Sequence, residues 1–213
     1  MSAAQLEVVD PVPRTRRLDG PYALRLSGRA LLIFAAAIAG YLAWVLFGTG
    51  IGSAHSQAVL REQFETANAA PHGVPARPIP GSAVARLVIP SMELDVMVVA
   101  GADPEDLAKG PGLYEASAMP WDGSGRVAIA GHRTTYGAPF WDLDHLQPGD
   151  ELVLETIRGT FTYVVSRSEV VSPTAVRVLE PTTRPTLVLT TCNPRFSAAE
   201  RLVVFAERVP PGQ

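Results

Sequence analysis

The chain contains a single cysteine, Cys192, and a cysteine thiolate is a strong nucleophile for acyl transfer. No intramolecular disulfide and no CxxC pair for a metal or redox site can form from one cysteine. Cys192 follows the apolar run 186–191 and precedes Asn193-Pro194, so it lies where a predicted strand meets a loop. Reactive side chains are usually presented at such positions. A buried cysteine that acts as a small hydrophobic residue is the alternative.

A cysteine nucleophile needs a histidine or a cation nearby to favour its thiolate at neutral pH. His132 is the better candidate because it directly follows the predicted strand 126–130 (RVAIA). His145 lies in the segment WDLDHLQPGD, whose aspartates predict a solvated surface. His55 and His72 fall in a predicted stalk and linker, where a fixed catalytic site is not expected.

Acyl transfer also needs a hydrogen-bond donor for the oxyanion, and an arginine is suitable. Arg201 begins the strand that follows Cys192, with a loop of eight residues between them. If the two strands pair antiparallel, Cys192 and Arg201 meet at one rim of the sheet. Alternation then puts Arg201 on the same face as Val203 and Phe205. Arg195 in the loop is the competing candidate, and a surface arginine that caps a strand is the alternative interpretation of Arg201.

These residues require a β-rich scaffold, and the pattern after residue 82 provides one. Short runs of β-branched and aliphatic residues, bounded by turn-forming residues, predict seven or eight strands with few helices. A turn at Arg158-Gly159 predicts a hairpin, and a short helix is expected at residues 104–109, with a helix or turn at 139–146. A closed barrel or a sandwich is therefore expected. The clearest strands are predicted at residues 86–89, 94–99, 126–130, 151–156, 160–171, 186–191 and 201–208.

An uncharged apolar stretch at residues 30–52 is long enough to cross a bilayer, which takes about 20 such residues. Positive charge is concentrated before it, so the positive-inside rule predicts a cytoplasmic N-terminus and an extracytoplasmic domain at the cell membrane. A cleaved signal peptide and a buried core helix are the alternatives. The arginines before the stretch are Arg14, Arg16, Arg17, Arg25 and Arg29, and only Arg61 follows closely.

Composition divides the remaining chain and excludes some functions. Four prolines between residues 71 and 81 predict an extended spacer. The net charge is −3, and no basic patch with interleaved aromatics is present, which argues against nucleic acid as a partner. No two histidines have metal-ligand spacing, so neither a metal nor another cofactor is expected. The predicted regions are a tail (1–29), an anchor (30–52), a stalk and linker (53–81), a catalytic domain (82–209) and a second tail (210–213).

The candidate residues lie in motifs that resemble those of sortases. Residues 186–192 (TLVLTTC) are similar to the family's Thr-Leu-x-Thr-Cys signature and keep its final Leu-x-Thr-Cys. The arginine nine positions after the cysteine and the segment around His132 (AGHR) are also similar. The resemblance covers about residues 82–209, and the anchor and spacer agree with the family's layout. The stretch GHRTTYGAPFWDLDHLQPGD looks most like class E, the housekeeping-type sortases of high-GC Gram-positive bacteria, although Asn193 stands where many relatives have histidine.

The resemblance implies a closed eight-stranded β-barrel and a cysteine transpeptidase. Cys192 attacks the Thr–Gly bond of a sorting signal of the Leu-Pro-x-Thr-Gly or Leu-Ala-x-Thr-Gly type in secreted proteins. His132 acts as acid and base, and Arg201 stabilises the oxyanion. The acceptor implied is a peptidoglycan precursor amine. Tyr136 and Thr191 are the implied substrate-binding residues, Tyr136 with a preference for Leu-Ala-x-Thr-Gly.

Three other functions are compatible with parts of this pattern. A membrane-tethered cysteine peptidase forms the same acyl-enzyme but only hydrolyses it. A pilin-polymerising sortase is the alternative within the family, and the spacer lacks the Asp-Pro-aromatic lid motif that such enzymes often carry. A non-enzymatic envelope scaffold with a buried cysteine is the third.

Overall fold

A long N-terminal helix precedes a closed β-barrel in the computed structural model of the chain, which describes residues 20–69 and 77–210. The helix consists of α1 (Gly20–Ala43), a π-helical turn (Trp44–Gly48) and α2 (Thr49–Ala69). The stretch Pro21–Ala69 is long and apolar enough to cross a membrane. The chain divides into two compact units after Leu42, and everything described below belongs to the second unit. Most of the predicted tail and spacer, with His72, lies outside the described residues.

The barrel confirms the expected fold class. In the described part of the chain, eight strands are joined edge to edge in the order β1-β2-β3-β4-β7-β8-β6-β5, and β5 pairs with β1 to close the sheet. The seven predicted strands are all present. The strands are β1 (Ala83–Ile89), β2 (Leu94–Ala100), β3 (Gly112–Leu113), β4 (Arg126–Ala130), β5 (Glu151–Thr156), β6 (Gly159–Val171), β7 (Thr186–Asn193) and β8 (Glu200–Arg208).

The short connecting elements follow local sequence signals. The predicted helix at residues 104–109 is α3 (Pro104–Leu107), with proline at its first position, where a missing N–H costs nothing. The segment 139–146 forms a short 3₁₀ turn at Leu143–His145. Gly159 begins β6 at φ 126°, a left-handed value that favours glycine, and it pairs with Thr156 to form the predicted hairpin.

Alternation along the strands divides the barrel into an inner and an outer face. Leu187 and Leu189 of β7 are fully buried in the main core, together with Val204 of β8. The residues between them face outward, and Val188 and Val203 pack in a separate apolar cluster on the outer surface. The β strands therefore have two buried faces in this region, which explains the nearly continuous apolar run of β7.

The predicted stalk, residues 53–69, lies within α2, and this helix packs on the outer face of β2. Leu60 is 3% exposed and lies in a cluster with Met97 and Val99. The Gln57 side chain donates to the carbonyls of Met97 (3.0 Å) and Lys109 (2.9 Å) and accepts from the Met97 N–H (2.7 Å). One glutamine therefore satisfies backbone groups that the short strand β3 leaves free.

Candidate active site

The strand pair β7–β8 brings Cys192 and Arg201 together. The two strands pair antiparallel, as expected, and Cys192 is the direct partner of Arg201 in their register. Directly opposed residues of an antiparallel pair have Cβ atoms about 4.5–5.5 Å apart and project on the same face. This is the outer face, since Cys192 alternates with the inward-facing Leu189 and Arg201 with the inward-facing Leu202. Both side chains are partly exposed.

His132 reaches the same rim from the neighbouring strand. β4 runs parallel to β7, with Ala130 opposite Thr190 at its end. Two further hydrogen bonds continue this pairing: the Gly131 N–H donates to the Thr190 carbonyl (3.0 Å), and the Thr191 hydroxyl donates to the Gly131 carbonyl (2.7 Å). The chain therefore arrives at His132 alongside Cys192, about one strand spacing away.

The surroundings of His132 favour its neutral form. The ring is partly buried and lies against the Tyr136 ring, with the centroids 4.8 Å apart. Burial lowers the pKa of His132 below its usual 6.5, because removal from water penalises the imidazolium. A neutral imidazole at pH 7 is suited to accept a proton from a thiol.

Arg201 has guanidinium N–H groups available for a ligand. Its Nη1 donates to the carbonyls of Ala198 (3.1 Å) and Glu200 (3.0 Å), which anchor the side chain to its own loop. Within the described residues, no carboxylate pairs with Arg201 and its other guanidinium nitrogens make no hydrogen bond. A guanidinium anchored by one nitrogen and open at the others suits an oxyanion.

The competing candidate, Arg195, is already occupied. Its guanidinium donates to the Trp141 carbonyl and lies 3.2 Å from Asp142 and 3.1 Å from Asp144. It also stacks over the Trp141 ring, 4.7 Å from the centroid. Two carboxylates neutralise this charge, which leaves Arg201 as the better oxyanion donor.

Sequence reasoning missed Arg133, whose side chain is only 3% exposed beside the site. Its Nη1 donates to Oδ1 of Asn193 (2.7 Å) and more weakly to the Cys192 carbonyl (3.4 Å), and its Nη2 pairs with Asp144 (2.9 Å). A buried arginine must be paired, and these partners connect the β4 end to the β7 end. A charged residue next to a candidate histidine was the available signal, but nothing in the sequence indicated its burial.

The remaining predicted positions lie in different surroundings. Tyr136 is partly exposed beside His132, and its role in substrate binding stays a prediction. Thr191 is 3% exposed and its hydroxyl bonds Gly131, a geometry that favours a positioning role over direct substrate contact. His145 is well exposed and 3.6 Å from Asp142, and His55 lies exposed on α2, so neither belongs to the rim.

Comparison with known proteins identifies relatives of this barrel. Residues 87–209 match the sortase domain family. Sortase SrtE1 of Streptomyces coelicolor is 34% identical over 145 residues, which are 61% of this chain and 41% of that protein. Sortase D of Bacillus subtilis is 34% identical over 139 residues, 62% of this chain and 67% of that protein.

Solved structures agree with these matches. A sortase D5 transpeptidase of Clostridium perfringens has a TM-score of 0.63 at 26% identity, and the match covers 74% of this chain and 98% of that one. Sortase E1 of Streptomyces coelicolor, solved with a tripeptide in its active site, has a TM-score of 0.57 at 32% identity over 63% of this chain and 92% of that one. Because the family match extends over more than half of the sequence and the barrel is that of its members, the chain belongs to the sortase family.

Proposed function

We propose that this chain is a cysteine transpeptidase that cleaves the Thr–Gly bond of a C-terminal sorting signal and transfers the new carboxyl end to a cell-wall amine. The observation that carries the proposal is the rim where Cys192 lies opposite Arg201 and alongside His132. Membership of the sortase family supports the same reaction class.

The first half of the reaction forms a thioester. His132 takes the thiol proton of Cys192, and the thiolate attacks the threonine carbonyl to give a tetrahedral oxyanion. Arg201 stabilises this negative charge through its free N–H groups. As the C–N bond breaks, the imidazolium gives its proton to the leaving glycine amine, and His132 is neutral again.

The second half reverses these steps with a different amine. A neutral acceptor amine attacks the thioester carbonyl, and His132 removes a proton from the attacking nitrogen. The C–S bond then breaks, Cys192 leaves as the thiol after reprotonation, and a new amide is formed. Water in place of the amine gives hydrolysis, which is the reaction of the peptidase alternative.

The substrate side of the proposal concerns Tyr136, the acceptor amine and the membrane. Tyr136 beside His132 is proposed to contact the sorting signal and to favour Leu-Ala-x-Thr-Gly, with a Leu-Pro-x-Thr-Gly peptide as the comparison. The acceptor is proposed to be the amine of a peptidoglycan precursor. The barrel, which follows the apolar helix in the sequence, is proposed to lie outside the cell membrane.

A peptide assay with and without an acceptor tests the proposal. The full chain is incubated with a labelled Leu-Ala-x-Thr-Gly peptide, with and without triglycine, and the products are identified by mass spectrometry. We expect cleavage between Thr and Gly, incorporation of the triglycine amine, and a thioester adduct on Cys192.

The Cys192→Ala variant is the control and is expected to form neither product nor adduct. Cleavage that never incorporates the amine would favour the peptidase. An unreactive thiol, together with full function of Cys192→Ala in cells, would favour the scaffold.

A further inference from the structure

The loop that carries His132 has a backbone conformation that needs support from outside. Three consecutive residues, Tyr136, Gly137 and Ala138, have positive φ values of 52°, 77° and 47°. Side chains with a Cβ rarely adopt this region, so Tyr136 and Ala138 are held there by their surroundings. Since the Tyr136 ring lies against the His132 ring, the position of Tyr136 affects the catalytic imidazole.

Part of that support comes from the first residue of α2. The Tyr136 N–H donates to the hydroxyl oxygen of Thr49 at 3.1 Å, a contact between residues 87 positions apart. The same hydroxyl donates to the Val45 carbonyl at 2.8 Å. Because the proton is directed at Val45, the oxygen lone pairs are oriented to accept from Tyr136. Gly50 and Gly137 also lie close enough for an added Cβ on Gly50 to meet the Gly137 nitrogen at 3.5 Å.

The position of Thr49 is fixed by the barrel. Farther along α2, Gln57 makes three hydrogen bonds to the backbone of Met97 and Lys109, and Arg61 pairs with Asp95 at 2.8 Å. The helix is therefore attached to the barrel from Gln57 to Arg61, which begins about two turns after Thr49. The Thr49 hydroxyl at the start of α2 therefore has a defined position relative to the His132 loop. It would not have one if the helix made no contact with the barrel.

We propose that α2 is part of the catalytic unit and that Thr49 is a positioning residue, which holds the His132 loop through the Tyr136 N–H. The inference rests on the proposed function of His132. It goes beyond it by assigning a role in the site to the helix next to the membrane anchor. Thr49 touches neither substrate nor reacting atoms and acts through Tyr136 and the histidine ring.

The test compares Thr49→Val with Thr66→Val in the full chain. Thr66 is exposed on the same helix and makes the same kind of bond, to the Glu62 carbonyl at 2.8 Å, and within the described residues it has no hydrogen bond to the barrel. We expect Thr49→Val to lower kcat about two- to tenfold with little change in KM, as for the loss of one positioning hydrogen bond. Thr66→Val is expected to match the wild type, and Thr49→Ser, which keeps the hydroxyl, to restore kcat.

A second readout does not depend on the peptide substrate. The rate of Cys192 alkylation by iodoacetamide is followed against pH, and we expect the profile of Thr49→Val to shift while those of Thr49→Ser and Thr66→Val do not. If Thr49→Val folds poorly, Thr49→Ala replaces it. An unaltered profile and kcat in Thr49→Val, or an equal loss in Thr66→Val, would overturn the inference. If the wild-type chain cleaves no sorting peptide and Thr49→Val still shifts the alkylation profile, the proposed function is wrong and the positioning role stands.

Discussion

At the scale of single residues, the two arginines near Cys192 differ in the partners of their guanidinium groups. Arg201 is anchored by two carbonyls and has no carboxylate partner among the described residues, whereas Arg195 is paired with Asp142 and Asp144. An arginine that must stabilise a transient anion needs charge that is not already neutralised. The sequence favours Arg201 if its strand pairs antiparallel with the strand of Cys192. This pairing is present, and Cys192 lies opposite Arg201.

This difference predicts unequal effects of matched substitutions. Arg201→Ala should lower kcat/KM about 10²- to 10³-fold, the usual loss for one oxyanion donor. Arg195→Ala should lower kcat/KM much less, because the contacts of Arg195 hold the loop near Trp141 and do not serve the oxyanion. Steady-state kinetics on the sorting peptide compare the two variants, and a larger loss in Arg195→Ala would assign the oxyanion role to that residue.

A pH profile tests the state of His132. Its pKa is lowered by burial below 6.5, so the ring is protonated only at lower pH, and the base needed for thiol deprotonation is lost there. The acid limb of the pH profile of kcat/KM should therefore have its midpoint below pH 6.5. Tyr136→Ala exposes the ring and should move this limb upward. An acid limb above pH 6.5 in the wild type would contradict the assignment.

At the scale of elements, the strands were predictable because each is a short apolar run bounded by turn residues. The two-residue strand β3 carries too few residues for any pattern. The packing of α2 was missed because this helix has few large apolar residues and attaches through Gln57, whose role depends on backbone groups about 40 positions away. The adjacency of β4 and β7, which brings His132 to Cys192, follows from the barrel order and was not deducible from local pattern.

Arg133 connects the end of β4 to the end of β7, so a substitution of Arg133 should loosen the structure there. Arg133→Lys keeps the charge but cannot reach Asn193 and Asp144 together. We expect the free energy of unfolding to fall by about 1–3 kcal/mol and kcat to fall with it, because the β7 end that carries Cys192 is less fixed. Arg177→Lys, an exposed arginine paired with Glu169, is the control. Equal denaturation midpoints for the two variants would argue against this clamp.

The hydrogen bonds that attach α2 to the barrel lead to a separate prediction about stability. Gln57→Ala removes three hydrogen bonds and leaves the backbone groups of Met97 and Lys109 unsatisfied, at a cost of about 1–3 kcal/mol. Gln63→Ala, on the exposed side of the same helix, should change little. Chemical denaturation together with protease sensitivity of residues 53–69 measures the difference. If both variants behave like the wild type, the helix does not depend on this glutamine.

At the scale of the whole molecule, one helix that is long and apolar enough to cross a membrane precedes the barrel in the described part of the chain. The helix Pro21–Ala69 contains both the apolar stretch and α2, and α2 packs on the barrel. A helix of this length and composition is compatible with a single-pass membrane anchor, as in sortases. This connection was predictable as an order of segments, but the direct packing of α2 became evident only in the folded chain.

The predicted orientation is testable by protease protection. Five arginines precede the apolar stretch and only Arg61 follows closely, so the positive-inside rule puts the N-terminus in the cytoplasm and the barrel outside. Protease added to intact spheroplasts should digest the barrel and leave an N-terminal tag protected, and inside-out vesicles should give the reverse. Replacing the N-terminal arginines by glutamine and adding lysines after residue 52 should weaken or invert this pattern, because the charge difference sets the orientation. A tag digested in intact spheroplasts of the unaltered chain would contradict the topology and, with it, the access of Cys192 to exported substrates.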